Sequence, residues 1–478
     1  MSQDTENNSD SPEIPASARK EARSLLARPR TETILHGPIA GTLWRLSIPT
    51  WAAFVCMNMM GVVDMFFVGR LGPVPVAAVG MGSIMIGIII MFALGVSMGT
   101  TALVANATGR RDRARADLVT SQAVTIAIGL GIVITLTTIP LAPFIIRAMG
   151  AEPDVVAEGA DYLQIVAGGS IFLLIHIALV YALRGAGDAV TPMKALMLSI
   201  LVNVVLDPIM IFGMFGFPAL GVAGSALATV LSRLFGMFLV LYVLLGDHDS
   251  AVSLHISQMW PRWEIIRNIF RIGVFASGRA LLHDISRLAF MRLAAMFGTP
   301  AVAAFSICFR LIMFILGPGK GFGTAAAAMV GQNLGAEQPA RAEKAGWMAG
   351  AFALGVGLLF TAAFWAAPAT LIRFFNSDPD VVETGVSLLR WFASSFPILL
   401  MGFVLGEAMM GAGDSLRPML ITGISEVLLA VPMAVFLAFY FDTASGVWAA
   451  FFAANLLTGL LFAGAFKIGW WKHIDVNR

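Results

Sequence analysis

From about residue 37 onward the chain is a succession of long apolar runs, each closed by a few polar or charged residues. The two-residue alternation of a half-exposed strand is missing, so the runs read as helices and not as the strands of a barrel. Most are long enough, at about 20 residues, for a helix to cross ~30 Å of hydrocarbon while satisfying its own backbone. The pattern predicts spans near 40–69, 76–105, 118–142, 158–183, 193–214 and 219–245, and again near 264–296, 302–330, 343–368, 382–410, 417–440 and 445–467.

The second set repeats the first. LRGAGDAVTPM at Leu183–Met193 returns as MMGAGDSLRPM at Met409–Met419, a shift of 226 because 185 + 226 = 411. With no gap the same shift pairs Arg45 with Arg271, Gly72 with Gly298, Gly109 with Gly335 and Arg147 with Arg373. It also pairs Pro153-Asp154-Val155-Val156 with Pro379-Asp380-Val381-Val382. The chain is therefore a duplicated unit. An even number of spans per unit makes both halves enter the membrane the same way, which relates them by an axis along its normal and leaves a cleft between them as the natural substrate path. The expected fold is an all-α integral membrane protein of about twelve transmembrane helices in two six-helix lobes.

Composition agrees: 58% of the 478 residues are hydrophobic and 13% charged, against about 25% charged in soluble domains. Loop charge suggests the orientation. Arg110, Arg111, Arg113 and Arg115 in one loop, Arg341 and Lys344 in its repeat, and Arg262 and Arg267 all fall on one side, whereas the opposite loops are richer in acids such as Glu152, Asp154, Asp378, Asp380 and Asp442. By the positive-inside rule both termini and both GAGD turns face the cytoplasm, and the expected location is the cell's inner (plasma) membrane. The organisation expected is a disordered tail over 1–36, an amino-terminal lobe over 37–246, a cytoplasmic linker over 247–263, a carboxyl-terminal lobe over 264–468 and a tail over 469–478. Cys56 and Cys308 sit in spans at positions the repeat does not pair, so no disulfide framework is suggested.

An ionisable side chain inside a span costs at least ~2.5 kcal/mol on insertion scales and is a functional candidate by default. Asp64 lies near the outer end of the first span; Asn203 and Asp207, at i and i+4 on one helix face, lie in the fifth; Ser225 lies in the sixth. Asp64, Asp207 and Ser225 sit at one depth, roughly 10 Å below the outer ends of their helices at 1.5 Å per residue. Pro208 lacks an N–H and frees the carbonyl of Val204. Such a set suits exchange of a proton near physiological pH, or a dehydrated sodium ion. Cross-linking of helices or capping of a kink is the plainer alternative.

The lead-in ILHGPIAGTLWRLSIP, the D-x-x-x-x-G-R-L-G pattern from Asp64 to Gly72, the paired R-G-A-G-D and M-G-A-G-D turns and N-x-x-x-D-P at Asn203–Pro208 resemble multidrug and toxic compound extrusion (MATE) transporters of the bacterial and archaeal cation-coupled branch. The resemblance covers about Ile34 to Lys467. It implies efflux of amphipathic, often cationic, organic compounds in exchange for protons or sodium, with Asp64, Asn203, Asp207 and a sixth-helix hydroxyl, here Ser225 in place of threonine, as the coupling site. Tyr162 matches a tyrosine near that site, and Pro49 a proline about which the first helix bends. Asp284 and Glu407 match carboxyl-lobe acids that some relatives use, although Asp284 and Arg287 at i and i+3 equally read as an intrahelical ion pair. The repeat does not duplicate the site: Phe290, Leu429 and Met433 stand where Asp64, Asn203 and Asp207 would recur.

The expected partners are a small organic substrate and membrane lipid, with no nucleic acid; no cofactor is expected beyond the coupling ion, and the chain is expected to act as a monomer. A rival is a lipid or lipid-linked oligosaccharide flippase, which would aim several cations into the cleft; Arg279, Arg287, Arg292, Arg310 and Lys320 supply them. A membrane-embedded enzyme is disfavoured, since no H-E-x-x-H, Cys/His cluster or nucleotide loop occurs. The GAGD stretches read as tight turns rather than phosphate loops because no G-K-[ST] follows.

Overall fold

The structure is a computed structural model that describes residues 30–246 and 250–476, and the regular structure of those residues is helical throughout. A short helix, α1 (Arg30–His36), leads into α2 (Ile39–Val68), α3 (Pro73–Gly109), α4 (Arg113–Ala148), α5 (Pro153–Gly168), α6 (Ser170–Gly185), α7 (Val190–Phe212) and α8 (Gly221–Gly246). The second lobe comprises α9 (Trp263–Ala295), α10 (Thr299–Gly335), α11 (Pro339–Ala366), α12 (Pro368–Arg373), α13 (Pro379–Gly411), α14 (Leu416–Phe441) and α15 (Ala444–Ile468).

Among the described residues ten helices are long and apolar enough to cross a membrane, eleven when α5 and α6 count as one span bent by 49°. The bend falls at Gly169, where a Cβ would press against Val230 of α8. The remaining long helix, α9, has 33 residues, enough to cross, but Arg267, Arg271, Arg279, His283, Asp284, Arg287 and Arg292 reduce its hydropathy. The fourth expected span is thus two helices, and the eleventh, α14, contains a π-helical stretch over Gly423–Ala430 that periodicity does not reveal.

The first helix of each lobe packs on the other lobe. Ile39, Leu43 and Leu46 of α2 are buried in the core formed by α10, α11, α13 and α15. Their repeat counterparts on α9, Ile265, Ile269 and Ile272, are buried in the core formed by α3, α4 and α6. The i, i+4, i+7 spacing lines each trio along one stripe.

Among the described residues, close approach between the lobes is concentrated at the end of the bundle that carries α1 and the segment after α15. In α3 the buried residues concentrate over Ala93–Gly109, and in α10 over Ile315–Gly335. A Cβ on Gly109 would overlap the carbonyl of Gln332, and one on Gly335 would overlap that of Asn106. These are the same contact seen twice, since 109 + 226 = 335 and 106 + 226 = 332. Gln332 also donates from Nε2 to the carbonyl of Gly185 at 2.8 Å. Towards the other end both helices bury fewer residues.

Segments outside the two lobes are docked. Residues Arg30–His36, within the stretch expected as a tail, are helical; Ile34 and Leu35 are buried, Glu32 pairs with Arg111 of the first lobe at 2.6 Å, and Arg341 of the second lobe donates to the carbonyls of Ile34 and Gly37. The rest of that expected tail lies outside the described residues. The linker lies on α4, where Gln122 donates to the carbonyls of Gln258 and Trp260 and accepts from the N–H of Arg262. After α15, Trp471 stacks on Phe466 with ring centroids 4.6 Å apart, and Val476 is buried in the first lobe's core.

Both GAGD stretches form the expected turns. Gly187 and Gly413 take φ of +87° and +90°, which glycine adopts without strain. The carboxylate of Asp188 accepts from the N–H groups of Val190 and Thr191, and that of Asp414 from Arg417, so each acid caps the helix that follows.

Candidate functional site

Three of the polar residues singled out in the first lobe meet. The i, i+4 spacing places Asn203 and Asp207 on the α7 face turned inward, and both are fully buried. Asp64, on the last full turn of α2, lies against both of them. Asp64 Oδ1, both amide atoms of Asn203 and both carboxylate oxygens of Asp207 are buried without a hydrogen-bond partner. Unpartnered buried polar atoms each cost free energy, roughly 1–3 kcal/mol and more for charged groups, so their gathering at one point is the opposite of what packing alone favours.

Pro208 sits inside the uninterrupted α7, which ends at Gly213 in the left-handed region with φ of +74°. Tyr162 of α5 is buried, with its ring directly over Gly82 of α3, where a Cβ would meet ring carbons. Its hydroxyl lies by Ser83, and the ring stands near both carboxylates. Ser225 is buried on α8, the neighbour of α7. Its hydroxyl is not one of the groups that act on Asp64 or Asp207; those are each other, Asn203 and the guanidinium of Arg233. Pro49 is buried within an unbroken α2, in the stretch of that helix that packs on α10 of the second lobe.

Arg233 went unread in the sequence. It stands twelve residues into α8 (221 + 12 = 233), and the rule that singled out the acids applies equally to a guanidinium within a span. Its charge acts on Asp64 and on Tyr162. Among the described residues no three His, Cys, Asp or Glu side chains converge, so the site offers two carboxylates, an amide and one adjacent cation. That donor set matches a proton or a monovalent, oxygen-liganded cation rather than a site for zinc, which draws on thiolate and imidazole ligands.

The carboxyl-lobe acids have cationic partners. Asp284 pairs with Arg287 at 3.3 Å, both about half exposed. Glu407 accepts from Arg279 at 3.1 Å, and that pair is largely buried. Glu426, at the π stretch of α14, lies 2.8 Å from His283, and the backbone carbonyl of Glu426 accepts from Ser286.

Known proteins carry the same architecture. The family model described as MatE matches residues 49–209 and 279–436, one segment in each lobe and most of the chain. The chain belongs to the MatE family. The probable multidrug resistance protein NorM of Thermotoga maritima is 28% identical over 436 residues, covering 90% of this chain and 92% of that one. The probable multidrug resistance protein YoeA of Bacillus subtilis is 27% identical, covering 90% and 95%. A solved structure described as MATE in the bent conformation superposes with a TM-score of 0.86 at 25% identity, covering 92% of this chain and 97% of that one. MatE relatives are named as transporters and export proteins, not enzymes, and this chain is accordingly a multi-pass membrane transporter of that family.

Proposed function

We propose that this MatE chain is a secondary antiporter that exports amphipathic organic compounds, with Asp64, Asn203 and Asp207 taking the inward-moving proton or sodium ion. The observation that carries the reading is the set of unpartnered polar atoms these residues bury side by side. The names of the NorM and YoeA relatives, both multidrug resistance proteins, support efflux as the direction. With the basic loops on the cytoplasmic side the termini face the cytoplasm, and the end where α3 and α10 cross at Gly109 and Gly335 is the cytoplasmic one.

A proton or sodium ion at the pair neutralises buried charge, and a site that is charged in one state and neutral in the other shifts the balance between outward-open and inward-open packing. Arg233 competes with the ion for Asp64. Tyr162 seals the site on the α3 side. Ser225 has the hydroxyl expected of a sodium ligand but sits beside α7, so its part in binding depends on a rearrangement of α8. In this reading the protein works as a monomer in the plasma membrane, with a small organic substrate and lipid as its partners and no cofactor besides the coupling ion.

Transport by purified protein in vesicles, under separately imposed pH and sodium gradients, tests this. Asp64→Asn and Asp207→Asn should insert and bind dye yet lose gradient-driven efflux. Full efflux by Asp64→Asn would refute the assignment.

A further inference from the structure

A second polar cluster stands between the lobes, away from the coupling pair. Arg279 of α9 and Lys320 of α10 lie by a single acid, Glu407 of α13, and Arg184 of α6 lies by Lys320. Arg279 is spent on that acid: it donates to Glu407 Oε1 at 3.1 Å, reaches Met410 Sδ at 3.7 Å and lies over the rings of Phe462 and Phe403. Arg184 lies over the Tyr181 ring, 5.1 Å from its centroid, and its Nε is buried with no partner. Lys320 keeps its side chain exposed and its Nζ 5.2 Å from the centre of the Phe54 ring on α2, which packs on α10 there. Three cations against one carboxylate leave two positive charges uncompensated at this level of the cleft.

Two charges held in a low-dielectric cleft without counter-ions are costly unless a ligand supplies the negative charge. The surroundings describe the rest of that ligand, since the partly exposed Phe54 and Tyr181 border Lys320 and Arg184 and suit an apolar or aromatic body. Position matters as well. Phe54 is ten residues before Asp64 on α2, about 15 Å along the helix, so a molecule at the cluster does not touch the coupling site. The cluster also draws on both lobes, Arg184 from the first and Arg279, Lys320 and Glu407 from the second, so it comes apart when the lobes move.

We infer that this cluster is a substrate subsite for an anionic group, a carboxylate, sulfonate or phosphate borne on an apolar or aromatic body, with Arg184 and Lys320 as its direct partners. The inference rests on the reading of the chain as an exporter with a substrate cleft, but binding at the cluster is measured without any gradient. Arg279 is a positioning residue that Glu407 restrains, and releasing it adds a third cation to the subsite.

Two xanthene dyes of opposite charge supply the test: anionic fluorescein and cationic rhodamine 6G, each titrated by fluorescence anisotropy against full-length protein in nanodiscs. Fluorescein should bind more tightly than rhodamine 6G. Arg184→Gln and Lys320→Gln should each weaken it at least tenfold, Glu407→Gln should tighten it, and Arg373→Gln, an exposed change far from the cleft, should leave it unchanged. Because Glu407→Gln predicts a gain, misfolding cannot imitate it.

Discs of phosphatidylcholine, with and without phosphatidylglycerol, separate the sources of the anion. Competition by phosphatidylglycerol that disappears in Lys320→Gln would assign the group to a lipid headgroup. Its absence would assign it to a free amphipathic anion. Tighter rhodamine binding, together with fluorescein binding indifferent to Arg184 and Lys320, would overturn the subsite. Normal fluorescein binding by a protein whose Asp64→Asn variant still pumps would overturn the coupling assignment and leave the subsite standing.

Discussion

Asp284 and Glu407 are both acids within expected spans and each pairs with an arginine, and their surroundings separate them. Asp284 and Arg287 are 48% and 41% exposed, whereas Glu407 and Arg279 are 17% and 11% exposed. An exposed pair contributes about 0–1 kcal/mol, while removing one member of a buried pair costs about 3–5 kcal/mol. Asp284→Asn should therefore leave the thermal unfolding of detergent-purified protein nearly unchanged, and Arg279→Gln should lower its midpoint clearly; equal shifts would mean that exposure misjudges these pairs. The meeting of Asp64 with Asn203 and Asp207 was legible because an i, i+4 pair has one face and depth follows from counting residues. Arg233 is equally legible as a guanidinium within an apolar run, but its nearness to Asp64 follows only from the packing of α8. Arg184 was hidden by its neighbours, as it opens a motif whose glycines and aspartate are fully explained by a turn.

Between whole helices, α3 and α10 cross backbone to backbone, Gly109 against Gln332 and Gly335 against Asn106. An added methyl at either overlaps a backbone carbonyl, which cannot step aside as a flexible side chain does. Gly109→Ala and Gly335→Ala should each prise the closed end apart and shift the population towards the inward-open form, seen as longer distances between spin labels placed on the two lobes at that end. Gly129→Ala, on α4 with open space around it, should do nothing of the kind and gain up to ~1 kcal/mol from helix propensity. Unchanged distances in both seam variants would show that the closed end yields without them. The sequence announced these glycines by their register and stayed silent on their role, since a repeat shift reports equivalence and not contact. The bend at Gly169 and the π stretch of α14 were invisible for a related reason: both are accommodations to a neighbouring helix, in one case Val230 and in the other the side chains of His283 and Ser286.

At the scale of the molecule, the lobes and their order could be read directly, because duplication and run length survive without knowledge of packing; the crossing of elements between lobes could not. Orientation in the bilayer is checked with single cysteines in a background lacking Cys56 and Cys308. With an impermeant thiol reagent on intact cells, Asp154→Cys should label and Arg111→Cys should not, and the reverse pattern would invert the topology. Both ends of the chain also tie the lobes together, α1 through Glu32 and Arg341 and the carboxyl end through Val476, so deleting 470–476 should favour opening of the closed end in the same spin-label measurement. The exchange of Ile39, Leu43 and Leu46 for Ile265, Ile269 and Ile272 has a further consequence. It is the geometry of a swapped dimer in which two identical subunits traded their leading helices before a single chain joined them. Neither half can then complete its own interior, so two fragments separated within 247–262 should be degraded when made singly and should reconstitute a working pump when made together in one cell.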